Sequence, residues 1–313
     1  MASDLWPRLV FPAWRDTALT LQLWMQVVGK TRLALTPWLN HSWQVPFYVT
    51  ARGVGTSLIP SGGEAIDLEF DFMQHRLVGR SSQGAVAAFD LKPMPVADFY
   101  ANAMQLLQTL GAAATINPLP SELPDPVAFS DDRRARSYDA DAAHRFWRAL
   151  LQADRLLKHF RTGFLGKASP VHLFWGGFDL AVTRFSGRRA PPHPGGIPGL
   201  SDRVTREAYS HEVSSAGFWP GSDPFPRAAF YSYAYPQPEG FAAASVPDGA
   251  HYDAALGEFI LPYDVVRAAD DPDALVMAFL QATYGAAASL GAWDRDELEC
   301  DLGAPNRPRA VRA

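Results

Sequence analysis

The chain states one plan twice, and this constrains its fold more than any other feature. Residues 16–110 read as a long helix, a cluster of strands and a closing helix, and residues 139–291 read the same way with a longer middle. At an offset of 131, His41-Ser-Trp43-Gln-Val-Pro-Phe47 aligns with His172-Leu-Phe174-Trp-Gly-Gly-Phe178. Each segment runs into a similar strand, Tyr48 to Gly53 and Leu180 to Phe185, with the alignment slipped by one residue. A repeat of this size predicts two modules that bury a shared face and set equivalent residues around a common cleft. The expected organisation is an N-terminal repeat over 1–111, a proline-rich linker over 112–138, a C-terminal repeat over 139–293 and a tail over 294–313.

Local patterns support this division. Leu19, Leu23 and Val27 recur in helical steps, so a helix is expected from Asp16 to Thr36, stopped by Pro37. Ala65 to Phe72 alternates Ile66, Leu68, Phe70 and Phe72 against three acids, the clearest half-buried strand. His75–Gly79 and Ala85–Leu91 predict a hairpin, and 98–110 a helix ended by Gly111. Pro118, Pro120, Pro124 and Pro126 forbid a long helix in the linker. Phe146, Leu150, Ala153, Leu157 and Phe160 form the strongest amphipathic stripe. Strands are expected at 171–185, 206–214, 228–235 and 258–261, a long mobile loop at 186–201, and a closing helix from Pro272 to Leu290. The fold class is therefore α+β, as two pseudo-symmetric helix–antiparallel strands–helix repeats packed together with helices outside. The alternative is one continuous sheet covered on one face.

Bulk properties exclude several partners. Net charge is −5 and no helix carries a basic stripe, so nucleic acid is not an expected partner. No apolar run approaches the ~18 residues of a membrane helix, and no secretory leader is evident in the first twenty residues, so no membrane partner is expected. The single cysteine, Cys300, rules out an intrachain disulfide and fits a reducing, cytoplasmic setting. Nine tryptophans are many, and large rings serve either packing or ligand stacking.

The strings Trp24-Met-Gln26-Val-Val-Gly29-Lys30, Pro46 to Gly53, Ser169 to Arg188 and Tyr209-Ser-His211-Glu212 to Gly221 resemble a bacterial family of domains of unknown function, numbered 5996. The similarity runs from Trp6 to about Trp293. It implies one shared architecture and assigns no activity, cofactor or catalytic residue.

The residues themselves suggest a small-molecule site between the repeats, for an anionic or aromatic ligand. Arg52, Arg184 and Arg188 are the expected anion contacts, with Lys167 nearby, since guanidinium groups suit carboxylate and phosphate. Trp43, Trp175 and Trp219 are the expected apolar walls. His172, His211, Tyr209 and Asp179 are the candidate proton-transfer groups. Asp179 lies in an apolar run and needs a partner, for which Arg52, Arg184 and Lys167 are available. A metal-dependent enzyme using His41, His172 and His211 is the alternative, though no metal-ligand spacing is present and no motif implies a cofactor. A third possibility is a non-catalytic interaction protein, which would expose a large apolar patch.

Overall fold

Two helix-flanked antiparallel sheets make up the computed structural model, which describes residues 5–123, 125–197 and 199–309. Helix α1 (Phe11–Leu35) starts before Asp16, with a proline in its first turn, where a missing N–H costs nothing. It ends as expected at Thr36, which the following proline forces into extended backbone. α1 is buried nearly all round rather than along one stripe.

The first sheet holds β1 (Tyr48–Val49), β2 (Gly53–Gly55), β3 (Ile59–Ser61), β4 (Glu64–Asp71), β5 (Arg76–Ser81) and β6 (Val86–Asp90). Its order is β1-β2-β4-β5-β6, with β3 beside β4. The alternation read in 65–72 holds: Ile66, Leu68 and Phe70 enter the core. The opposite face is a charged layer in which Arg80 bridges Asp67 and Glu69, while Arg52 meets Asp71. Helix α2 (Val96–Thr109) covers the apolar face, with Phe99 stacked on Phe70.

After the linker, α3 (Ala140–Thr162) is capped by Asp139, whose carboxylate accepts the Ala142 N–H at 3.0 Å. The second sheet holds β7 (His172–Phe174), β8 (Asp179–Arg189), β9 (His211–Trp219), β10 (Ala229–Tyr235), β11 (His251–Asp253) and β12 (Glu258–Pro262). Its order is β11-β12-β10-β9-β8-β7. Short helix α4 (Asp202–Ala208) lies between β8 and β9. Helix α5 (Tyr263–Ala268) follows β12, and α6 (Pro272–Leu290) is capped by Asp271. Of the stretch read as a tail, the described residues 294–309 are docked on the fold. Helix α7 (Arg295–Leu298) precedes residues that bond the end of α3, including Gly303 N–H to Thr162 Oγ1 at 2.8 Å.

The two sheets meet edge to edge. Phe47 and Leu173 exchange both backbone hydrogen bonds at 2.8 Å, just before β1 and within β7. One buried cluster then runs from Trp6 to Trp293 through both halves. The aligned histidines are not equivalent here. His41 sits in a 3-10 turn at φ 60°, and His172 lies within β7.

Candidate functional site

Successive residues of a strand face opposite ways, and the second sheet uses its two faces differently. Leu180, Val182, Phe218 and Phe230 are buried in the shared core on the face toward α3 and α6. The odd-numbered residues Asp179, Ala181, Thr183, Val213, Tyr231 and Tyr233 line a cavity of about 440 Å³. Its other walls come from the end of α1, the 38–45 turn, the linker, and the 197–208 segment that contains α4. The cavity therefore lies where the first repeat and the linker meet the second sheet.

Helix α1 fixes much of this geometry through three polar residues spaced one turn apart. Gln22, Gln26 and Lys30 stand on an otherwise buried helix, so each needs a partner. Gln22 Nε2 donates to the Gly176 carbonyl at 2.6 Å. Gln26 donates to the Ser121 carbonyl at 2.9 Å and accepts the Ser121 N–H at 2.6 Å. Lys30 Nζ donates to Ser121 Oγ at 3.0 Å. This clamp holds one linker residue by its backbone and its side chain. The next residue, Glu122 at φ 58°, is delivered against the Gly176-Gly177 turn. Gly29 completes the packing: a Cβ there would collide with the Trp175 ring, whose Nε1 donates to the Val45 carbonyl at 3.1 Å.

Two carboxyls meet at this end of the cavity. Glu122 Oε2 and Asp179 Oδ1 lie 3.8 and 2.8 Å from one point, the place a Cβ would occupy on Gly177. Burial raises Glu122 to about 7, with repulsion from Asp179 adding and Lys30 opposing. Burial also raises Asp179 to about 6, against the hydrogen bond from Tyr231. Both acids face the cavity and are half-buried, and their partial desolvation is the main reason they resist ionisation. Tyr231 reaches Asp179 by lying across Gly217 of β9, where a Cβ would strike its ring. Neighbouring Glu258 is likewise raised to about 7 by burial and by Asp179.

Hydroxyls and imidazole complete the polar lining. Tyr209 and Tyr233 share a hydrogen bond at 2.9 Å, as do Thr183 and Ser215. The hydroxyls of Ser42 and Thr205 line the cavity without a partner. His41 Nε2 lies 2.7 Å from Lys167 Nζ and must accept from it. Its Nδ1–H then faces the Glu207 and Ala208 carbonyls at 3.1 and 3.2 Å. Burial, then Lys167, lowers its basicity, and the neutral ring ties α4 to the 40–42 turn.

Of the residues singled out from sequence, His41, Trp43, Trp175, Asp179 and Tyr209 line this cavity. Lys167 stands behind it against His41 and the Trp43 ring. The arginines do not converge. Arg184 is 1% exposed on the helix-facing side of β8, caged by Phe160, Tyr284 and Phe164. Arg52 pairs with Asp71 at 2.7 Å, and Arg188 with Glu212 at 2.7 Å. Asp179 thus has a tyrosine partner in place of the expected cation. Trp219 stacks on Phe225 at the far end of β9. His172 is buried away from the cavity, driven to about 3 by burial, then Arg32 and Arg161. His211 shares an edge contact with His41, and Tyr209 ends α4 rather than sharing a strand face with it. Both nitrogens of His41 are engaged, and no group of three or more His, Cys, Asp or Glu among the described residues could hold a metal ion. Sequence reasoning missed Glu122, Tyr231, Tyr233 and the α4 cover.

No helix among the described residues is long and apolar enough to cross a membrane. The model of a family of unknown function, DUF5996, matches residues 6–300. No curated protein and no solved structure matches the chain.

Proposed function

Because the chain belongs to DUF5996, a family of unknown function, we propose from the cavity itself that the protein binds a small molecule at the seam between its halves. The observation that carries this reading is Glu122. Its carboxyl is set into the cavity by a dedicated clamp, yet no hydrogen bond or ion pair to it is formed by any described residue. A half-buried carboxyl with no partner in the protein costs stability in a purely structural role. The walls, built from Trp38, Trp43, Phe174, Trp175 and Phe185, suit a flat apolar body. The arginines that would have favoured an anion are committed elsewhere.

Native mass spectrometry and a ligand-library thermal-shift screen test this reading. At least one organic compound is expected to raise the melting temperature of the wild type. Val204→Trp, which fills the cavity from the α4 side, should abolish that shift while the variant stays folded. A shift that survives Val204→Trp would show that binding occurs elsewhere. Turnover of the ligand is a second reading, favoured by two adjacent acids poised near neutrality, as general acid–base chemistry requires. It fails if a bound compound is recovered chemically unchanged after prolonged incubation.

A further inference from the structure

Resting on the reading that the cavity is a small-molecule site, we propose that its ligand is an organic cation, an amine or ammonium carried on a flat apolar body. Charge is the first support. Glu122 and Asp179 line one end, and no Lys, Arg or His of the described residues lies within ion-pair distance of either. Lys30 is turned to Ser121 and the face of Trp175. Among the described residues no arginine lines the cavity, and Lys30 is its one lysine.

Ring faces are the second support. Aromatic faces attract cations, and the chain already uses several in this way. Lys30 lies 5.6 Å over Trp175, Lys167 lies 5.2 Å over Trp43, and Arg203 lies 5.3 Å over Trp38. Tyr231 and Tyr233 are stacked 6.2 Å apart at 13°, beside Asp179, with no cation of the described residues over them. Carboxyls and aromatic rings that carry no cation thus coincide at one end. An ammonium would also relieve the repulsion between the two acids, so binding should release protons near neutral pH.

Three probes of one shape separate the possibilities: tryptamine, tryptophol and indole-3-acetate, compared by isothermal titration calorimetry. Tryptamine is expected to bind about tenfold tighter than tryptophol, with indole-3-acetate weakest. Its affinity should rise several-fold from pH 5.5 to pH 8, and the heat should vary with buffer ionisation enthalpy. Glu122→Gln, on the linker, should reduce the amine preference, and Glu122→Gln/Asp179→Asn should erase it while retaining tryptophol binding. Should the double variant fail to fold, the single variant decides alone. Equal or tighter binding of the acetate, or a preference unchanged in Glu122→Gln, overturns the cation inference and leaves the small-molecule site standing. Binding of none of the three at millimolar concentration counts against the site itself, and the inference falls with it.

Discussion

Glu122→Gln should make the protein more stable at pH 8 and leave it unchanged at pH 4. The folded chain raises this carboxyl from 4.5 to about 7. A raised acid contributes stability that is fully present below its unfolded pKa and is lost as pH rises through its folded pKa. The wild type should therefore lose stability between about pH 4.5 and 7, and the glutamine variant should not lose that share. The shift corresponds to about 3 kcal/mol at full burial. The cavity opens to water on one side, so roughly 2 kcal/mol is expected after screening. For a chain of this length the per-residue unfolding entropy converts that into about 3 °C. Differential scanning fluorimetry at pH 4, 6 and 8, checked by urea titration, measures it. A variant less stable than wild type at pH 8 would refute the reasoning. So would an equal difference at pH 4 and pH 8, because then burial of a charge is not what Glu122 costs the fold.

Three further outcomes follow from the geometry. Gly29→Ala should destabilise by about 1–3 kcal/mol in thermal unfolding, because its methyl displaces the Trp175 ring and breaks the bond to the Val45 carbonyl; a neutral result would mean that α1 and the 175 turn separate freely. Arg184→Ala should cost about 3 kcal/mol by chemical denaturation and Arg184→Met clearly less, since the guanidinium is caged by aromatic rings and donates to the Phe160 carbonyl; an equal loss for both would show that the polar head, and not the packed volume, carries the stability. His172 is held neutral down to about pH 3, so as pH falls below 6.5 its buried ring removes stability, about 2 kcal/mol between pH 7 and 5. His172→Phe should flatten that acid limb, and an unchanged slope would sink the assignment.

Periodicity made the long elements legible. The stripe from Phe146 to Phe160 became α3, the alternation at 65–72 became β4, and Asp271 caps α6. Strand parity could have divided the polar candidates as well. Asp179 and Arg184 lie five residues apart in one unbroken strand, so they face opposite ways, one to the cavity and one to the helices. Glu122 was harder to find because a proline-rich linker has no period. Its signal lay elsewhere, in Gln22, Gln26 and Lys30, a polar row on a helix otherwise too apolar to face water. Such a row demands buried partners, and the linker supplies Ser121. Helix α4 escaped notice because seven residues beside a proline- and glycine-rich stretch carry too little pattern. The offset of 131 placed the histidines against each other, whereas the strands themselves meet at Phe47 and Leu173.

The Ser121 clamp also makes the cavity asymmetric. Two separate copies of one repeat, docked as a homodimer, could reproduce an edge-to-edge bridge like that between Phe47 and Leu173. They would bring a helix end and a sheet face to each seam. They would bring no linker, and so no Glu122. The acid end of the cavity exists because the two halves are one polypeptide, and a single proteolytic cut between Ser121 and Gly163 would leave both sheets whole while freeing that carboxyl's anchor from one side. Continuity of the chain is therefore part of the site's geometry, since it carries Glu122 into the recess between two sheets.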